Sequence, residues 1–407
     1  MSRIPYTNKV GETLGSIADS AAAYSLRALN GGDPMVARVR RSSDDAEKDF
    51  AASDVSGGAL VDWVNEDVVT YQSDFSAGTN GWTLTSGDEV STFTHSTNKV
   101  VLEVAATGTN SNRPVIVNSG IIEINQLHSI SFSYNVTSGT CIFNGYFDGG
   151  AVDTSPQETL SGNGVKTFEF LRSSAPSVLA LYFDSSNLFN LEITDIQITQ
   201  LTSNGHVTTW YDQSGNGNNA TQSTAGSQPK IVDGGVYLGE LDFDVNTEDY
   251  LEMSPVDGKT IYALCSSNTA DTGSNLKGLL GSSLSTSFNA SYIFFSPNAG
   301  PFNSYAASLD GQVNDQAFWY LNGENKGSGG NIGTYGDVVS GQTMLHSFEY
   351  AANDPANNWR VLGAYFDTGA AYKGLDGTIS EIIIYDSDQS ANRAAIETNI
   401  NNHYDIY

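Results

Sequence analysis

The sequence TTWYDQSGNGNNATQ (residues 208–222) passes from a strand-like segment directly into a polar, glycine-rich turn. Thr208 to Tyr211 are β-branched or aromatic, which favours a strand. Asp212 to Asn219 supply the glycine and asparagine that tolerate positive φ in tight turns. The stretch therefore predicts a strand that leaves its sheet. Its side chains allow two interpretations, a device of the fold or a ligand site.

The composition of the whole chain favours the same kind of structure. Among 407 residues there are 41 Gly, 20 Tyr and 18 Phe, and only 16% are charged. This balance suits short strands and tight turns better than long helices. The length exceeds that of a usual single domain. We therefore expect an all-β protein of two domains.

The charge restricts the partners. The chain has 46 acidic and 18 basic residues, a formal net charge of -28, so it does not favour nucleic acid or an anionic membrane. Glycans, cations and other protein subunits remain open. Cys141 and Cys265 are the two cysteines, so we expect buried thiols and no disulfide framework. No window reaches the roughly 18–20 apolar residues of a membrane span, and the N-terminal sequence lacks the pattern of a secretory signal.

Helical periodicity is confined to three stretches. Apolar residues at helical spacing predict helices over 12–30, 58–65 and 391–403. Elsewhere the apolar residues tend to alternate, as in MVARVRRS (35–42), or form a buried run, as in TISEIIIYD (378–386). Strands should therefore dominate.

Residues 69–204 read as a self-contained β-sandwich of near-modal domain size. The segments on either side are each incomplete alone, and a guest domain with neighbouring termini is tolerated in a surface loop. We therefore predict a discontinuous host of residues 1–68 plus 205–407, with residues 69–204 inserted. The strands predicted for the insert include KVVLEVAA, SISFSYNV, KTFEFLR, SVLALYFD and FNLEITDIQITQL.

Four segments of the host together resemble the catalytic β-sandwich of the fungal-type α-L-arabinofuranosidase B family, whose relatives recur as domains of phage structural proteins. This resemblance implies a concanavalin A-like, two-sheet jelly roll. The segments are AAAYSLRALN (21–30), VARVRRSSDDAEKDF (36–50), VTTWYDQSGNGNNATQ (207–222) and QPKIV (228–232).

The insert is similar to the galactose-binding-like jelly roll of carbohydrate-binding modules. DFSAGTNGWT (74–83) at its start and FNLEITDIQI (189–198) at its end carry this resemblance. In such modules the first and last strands lie side by side, which suits an insertion.

Two groups of aromatic and polar residues are candidates for carbohydrate binding. In the host, an aromatic and amide patch could stack on a sugar and bond to it, but a core aromatic pair above a turn capped by Asp212 is the favoured interpretation. In the insert, the aromatic side chains could form a platform that stacks on a sugar, or they could fill the hydrophobic core. The candidates are Trp210, Tyr211, Asp212, Asn216 and Asn218 in the host and Trp82 and Tyr146, with Phe75, in the insert.

Charged residues give two further hypotheses. The resemblance of the insert implies a calcium site, for which Asp74, Asp148 and Asp195 are the candidate oxygen donors. Retaining glycosidases need two carboxylates about 5 Å apart. The acids that follow or end strand-like segments are Glu349, Asp367, Asp376, Glu381 and Asp386.

The chain also has a short basic run, Arg38, Arg40 and Arg41. These arginines are interpreted as pairing with Asp44, Asp45 and Glu47.

Taken with the resemblances, these observations predict a non-enzymatic phage virion protein, a head decoration, fibre or tail-associated subunit on the particle surface. Its lectin-like domains would contact host glycans and other virion proteins. We expect a homo-oligomer, with a trimer as one option, and no required cofactor, calcium being the one candidate. The alternative is a retaining glycoside hydrolase or depolymerase that acts on surface polysaccharide.

Overall fold

The protein is described from a computed structural model. The residues that it describes are 19–85, 91–106, 114–147, 152–153, 158–171, 178–184, 187–268, 277–282, 291–295, 305–308, 318–328, 340–350, 358–367 and 371–407.

Strands dominate the described residues, which confirms the predicted all-β class with few, short helices. The helices are α1 (Ala52–Ser56), α2 (Ala59–Val64) and α3 (Arg393–Tyr404), with one 3-10 turn at Ala225–Ser227. The strands before residue 204 are β1 (Ala22–Ser25), β2 (Met35–Arg41), β3 (Glu47–Ala51), β4 (Val68–Ser73), β5 (Thr83–Thr85), β6 (Ser91–Ser96), β7 (Lys99–Val104), β8 (Val115–Ser119), β9 (Leu127–Gly139), β10 (Cys141–Phe147), β11 (Val152–Asp153), β12 (Glu158–Leu160), β13 (Asn163–Leu171), β14 (Val178–Phe183) and β15 (Phe189–Gln200). Those that follow are β16 (Gly205–Trp210), β17 (Ala220–Thr221), β18 (Lys230–Asp233), β19 (Val236–Phe243), β20 (Leu251–Asp257), β21 (Thr260–Cys265), β22 (Lys277–Gly281), β23 (Ser291–Phe295), β24 (Tyr305–Ser308), β25 (Phe318–Leu321), β26 (Glu324–Ser328), β27 (Met344–Glu349), β28 (Asn358–Leu362), β29 (Ala364–Asp367), β30 (Ala371–Gly374) and β31 (Gly377–Tyr385).

The chain divides into two compact units. The first consists of Met1–Asp62 and Asn204–Tyr407, and the second of Trp63–Ser203. The second unit therefore begins within α2, whereas the sequence placed the start of the insert at residue 69.

The second unit is a sandwich of two six-stranded sheets. One has the order β11-β10-β14-β8-β5, with β12 beside β10, and the other has the order β13-β9-β15-β7-β6, with β4 beside β15. Phe143 of β10 lies 5.5 Å from both Phe132 of β9 and Phe168 of β13, measured between ring centroids. Aromatic side chains of the two sheets therefore meet edge-on or tilted in one apolar core.

In the first unit the strands form one continuous network of pairings, apart from β29 and β30, which pair with each other in a separate two-stranded sheet. One run is β26-β25-β27-β21-β31-β1, and the other passes from β3 through β2, β16, β17, β20, β28 and β22 to β23 and β24. Tyr24 of β1 connects the runs, because its hydroxyl lies 3.0 Å from Met253 Sδ of β20 and its ring lies 5.6 Å from that of Trp210 in β16.

The prediction of a helix over 12–30 is wrong for the residues described. Ala22–Ser25 form β1, which pairs antiparallel with β31 from Ala22↔Ile384 to Ser25↔Glu381. All four residues are buried, because Ala23 faces the core beneath α3 whereas Tyr24 faces the opposite side. A strand covered on both faces is apolar at every position, so its periodicity does not distinguish it from a helix.

The other two helices predicted from the sequence are present as α2 and α3, and α1 was not predicted. α3 covers one face of β1, β21, β27 and β31 with Ile396 and Ile400, which are 2% and 1% exposed. This cover explains why β21 and β27 are buried along their whole length.

The arginines of β2 pair as the sequence predicted. Arg40 contacts Asp45 and Arg41 contacts Asp44, each at 2.8 Å. Arg38 lies 3.6 Å from Glu47 and, in addition, 3.2 Å from Asp49. Cys141 and Cys265 are both buried and free, as expected. Within the described ranges no helix has the length and apolar character needed to cross a bilayer.

Candidate functional site

An open groove of about 580 Å³ lies on the outer face of the second unit, on β13, β9 and β15. Eight residues line it, and six of them carry a hydroxyl, amide or carboxylate group: Ser133, Tyr134, Asn135, Asn163, Gly164, Val165, Glu192 and Thr194.

Strand alternation produces this polar face. In β9, Ile130 and Phe132 are fully buried in the core, so Ser131, Ser133 and Asn135 point to the other side of the sheet. The register places Asn163 of β13 opposite Asn135. Polar side chains therefore stand next to each other across the strands.

The main row of the groove runs perpendicular to the strands. Asn163 pairs with Asn135, and Asn135 pairs with Glu192 of β15. Neighbouring strands are about 4.8 Å apart, so the row is about 10 Å long. A polar row that is open to solvent suits an extended ligand better than a compact one.

A β-bulge shapes one wall of the groove. The pairing of β15 with β9 shifts between Ile193 and Asp195, which leaves Thr194 without a partner in the register. Ile193 is fully buried and Thr194 is exposed. An extra residue of this kind re-aims neighbouring side chains, and here it adds the Thr194 side chain to the lining.

Glu192 fixes the polar groups of the row. Its Oε1 accepts from Lys99 Nζ at 2.5 Å, and its Oε2 accepts from Asn135 Nδ2 at 3.2 Å. The hydrogen bond from Lys99 lowers the pKa of the Glu192 carboxyl below its usual value. Glu192 is therefore charged at neutral pH, and it holds the Asn135 amide with its oxygen directed away from the carboxylate.

Gly164 of β13 lies opposite Tyr134 of β9. A Cβ atom at this position would lie 2.7 Å from the Tyr134 hydroxyl, which is too close for a real contact. Tyr134 itself packs on the core beside Phe132, with ring centroids 6.1 Å apart. Any side chain at 164 would therefore displace the tyrosine.

The lining has the chemistry of polyhydroxyl recognition. Amides, hydroxyls and a carboxylate offer both donors and acceptors, and the exposed Val165 adds apolar surface. Glu192 is the one carboxylate among the lining residues, whereas glycoside hydrolysis needs two. The groove therefore has the groups to bind a carbohydrate.

The candidate patch of the first unit lies elsewhere and is largely internal. Trp210 is fully buried, so its ring offers no surface to a sugar. Tyr211 is half-buried, and its hydroxyl donates to Asp49 Oδ1 at 2.6 Å. Burial is the main cause that raises the pKa of Tyr211 to about 12, and the carboxylate of Asp49 adds to it.

The turn that follows these aromatics binds β1. Asp212 accepts from the backbone N–H of Ala23, Ser214 and Asn218, each at 2.9 Å. The Asn216 and Asn218 side-chain amides both donate to backbone carbonyls, Ser20 O and Ala21 O, at 2.9 Å. The Asp212, Asn216 and Asn218 side chains are therefore used within the fold.

Of the candidate residues of the second unit, Trp82 belongs to the core. Trp82 is fully buried, and its Nε1 donates to Tyr71 Oη at 3.0 Å. Tyr146 belongs to β10, but its side chain lies outside the described part of the chain. Trp82 does not line the groove.

The structure does not show the three candidate calcium ligands grouped together. Asp74 is exposed and accepts from Ser76 N at 2.9 Å, Asp195 lies on β15, and Asp148 is outside the described residues. Among the residues described, no three His, Cys, Asp or Glu side chains are grouped as metal ligands. Calcium binding stays a prediction.

The acids considered for hydrolysis have other partners. Glu381 forms a buried ion pair with Arg27, Glu349 lies 3.5 Å from Arg393, and Asp376 lies 3.4 Å from Lys277. Asp386 is exposed after β31, and the Asp367 side chain is outside the described part of the chain. Three of the five therefore have cationic partners.

Comparisons with known proteins give weak structural likenesses. No family model matches the chain, and no curated protein matches it. A carbohydrate-binding module titled BiXyn10A CBM1 aligns with a TM-score of 0.27 and 11% identity over 32% of this chain and 97% of the module. The xylan-binding CBM22-1 domain of Xyn10C from Paenibacillus barcinonensis aligns with a TM-score of 0.26 and 16% identity over 34% and 97% of the two chains.

The tandem CBM22-1–CBM22-2 fragment of the same Xyn10C aligns with a TM-score of 0.28 and 10% identity over 77% of this chain and 98% of the fragment. These scores are too low to establish a shared fold. The fold is therefore assigned from the strands and their pairing. The candidate site is assigned from the geometry of the groove.

Sequence reasoning did not identify the residues of the groove. Asn135, Asn163 and Glu192 were not among the candidates. A signal was present in SISFSYN (129–135), where small polar residues alternate with large apolar ones. This alternation indicates a sheet with one flat polar face, but it does not show which neighbouring strands complete the face.

Proposed function

We propose that the protein is a carbohydrate-binding protein and that the groove on β13, β9 and β15 is its binding site. The observation that carries this proposal is the row of Asn163, Asn135 and Glu192, held in place by Lys99 and open to solvent. Oriented amide and carboxylate groups can each bond to neighbouring sugar hydroxyls. The titles of the similar structures, which name carbohydrate-binding modules, agree with this class of ligand.

Replacing Asn135 by alanine is expected to weaken glycan binding about tenfold, because one hydrogen-bonding side chain is lost from a site where its partners stay in place. Glu192→Gln should also weaken binding, because the uncharged glutamine amide replaces the carboxylate and loses the ionic contact with Lys99. The ligand is first identified on an array of plant and bacterial polysaccharides, and affinity is then measured by isothermal titration calorimetry.

Ser129→Ala is the matched control for these two variants. Ser129 points to the same face of β9 but does not line the groove, so its replacement should leave affinity unchanged. Equal affinity of wild type, Asn135→Ala and Glu192→Gln for the retained glycan would place the binding site elsewhere. Retention of no glycan on the array would remove the proposal.

We further propose that this binding serves a phage virion protein, displayed on the particle with other virion proteins and directed at host glycans. The support is the resemblance of the first unit to domains of phage structural proteins and the net charge of -28, which keeps a displayed surface soluble. The expected result is recovery of the chain, at a fixed stoichiometry, in purified particles analysed by mass spectrometry. Recovery only in the lysate would contradict a structural role.

A further inference from the structure

β13 is an edge strand of its sheet. Its nine residues, Asn163–Leu171, pair with β9 from Asn163↔Asn135 to Leu171↔Leu127 without a shift in register. Within the described ranges no strand pairs with its other side. The strand is therefore long and regular, and one of its edges is open among the residues described.

The backbone groups at this open edge can be assigned. Val136 N donates to Gly162 O at 2.7 Å, so 136 and 162 form a hydrogen-bonded pair. In an antiparallel ladder such pairs recur every second residue, so the even-numbered residues of β13 bond to β9. The N–H and C=O groups of residues 163, 165, 167, 169 and 171 therefore point to the open edge.

The side chains of the same residues form the exposed face of the strand. All five are exposed, and the apolar Val165 and Leu171 are 65% and 52% exposed. The strand has no proline, no bulge and no outward lysine, which are three of the features that prevent edge pairing. Its one lysine, Lys166, points inward and is paired with Glu158.

We propose that β13 pairs antiparallel with β13 of a second copy of this chain, so that two sheets join into one across a two-fold axis. The register that we infer sets Val165 opposite Leu171 and Thr167 opposite Glu169. By symmetry this gives four hydrogen-bonded residue pairs and two Val165–Leu171 contacts. A second copy fits this edge because the strand complements itself.

The charges are compatible with this register. Glu169 faces Thr167 of the second copy, so no two carboxylates stand directly opposite each other. The two chains, each at -28, still repel at long range. Added salt screens this repulsion, so the dimer should tighten between low and physiological ionic strength.

The geometry gives the dimer a functional consequence, which rests on the carbohydrate-binding function proposed above. Antiparallel strands that pair edge to edge keep their outward side chains on one side of the joined sheet. Both grooves would open on that side and face one polysaccharide surface together. Two linked sites bind a multivalent surface more tightly than either site alone.

The test is sedimentation velocity on the full chain, without glycan, over a concentration series. The wild type should approach twice the chain mass of 43.4 kDa. Thr167→Pro removes an N–H at the open edge without removing a bond to β9, and should weaken dimerisation at least about tenfold. Thr167→Val keeps that N–H and should remain dimeric.

Leu171→Lys is the second variant, because an outward lysine on an edge strand opposes pairing while leaving the backbone unchanged. Circular dichroism checks that each variant is folded. A monomeric or trimeric wild type would overturn the proposal, as would a Leu171→Lys protein that dimerises like the wild type. Since no ligand enters this measurement, its outcome is independent of whether the groove binds carbohydrate.

Discussion

Replacing Glu381 by alanine is expected to lower the free energy of unfolding by about 3–5 kcal/mol, because it leaves the Arg27 guanidinium buried without its counter-charge. Arg27 donates to both carboxylate oxygens, at 2.8 and 2.9 Å, and the two side chains are 4% and 1% exposed. Ser25 and Tyr404 also contact Glu381, and Arg27 reaches Asn399 of α3. The loss should appear as a lower urea midpoint with an unchanged slope.

Asp386→Ala is the matched control, because it removes the same charge from the exposed residue that follows β31. Its effect should stay within about 0.5 kcal/mol. The double variant Arg27→Met, Glu381→Leu should recover much of the loss, because apolar side chains of similar volume can replace a buried ion pair. A cost below about 1 kcal/mol for Glu381→Ala would show that the pair does not stabilise the fold.

This ion pair also bears on the hydrolase alternative. Glu381 is one of the acids that sequence reasoning considered as a catalytic carboxylate. With both oxygens bonded to Arg27 and almost no exposed surface, it can neither attack a sugar nor transfer a proton to one. Its place beneath α3 is that of a structural group.

The fold class was predictable because a strand with one buried face has alternating apolar and polar residues in its sequence. β13, β7 and β15 alternate apolar and polar residues as their segments of sequence predict. β1 was misassigned because both of its faces are covered. α3 covers the Ala23 face, and β16 and β20 contact Tyr24 on the other face. α3 lies more than 350 residues further along the chain, so the local sequence pattern does not show its presence.

The candidate site was less predictable for a related reason. Trp210 and Trp82 were candidates because large aromatics often bind sugars, yet both are fully buried. The groove instead joins Asn163, Asn135 and Glu192, which come from three strands and become neighbours only through pairing. The register between strands that are distant in sequence is set by packing throughout the sandwich. A local sequence motif therefore does not predict such a site.

Replacing Asp212 by alanine is expected to lower the free energy of unfolding by about 2–4 kcal/mol, because three backbone N–H groups lose their acceptor. Oδ1 accepts from Ala23 N and Ser214 N, and Oδ2 accepts from Asn218 N and from the Ser214 hydroxyl. The turn of TTWYDQSGNGNNATQ thus holds β1 through one carboxylate. Urea unfolding measures the loss, and faster amide exchange at Ala23 should localise it.

Asp212→Asn separates the two oxygens of this carboxylate. The amide keeps the acceptor for Ala23 and Ser214 but turns an N–H₂ group toward Asn218 N, where two donors then meet. Its cost should therefore fall between those of wild type and Asp212→Ala. Equal stability of all three proteins would mean that the Asp212 carboxylate does not help to hold β1, which also pairs with β31. In that case the polar turn would again be open to interpretation as a ligand site.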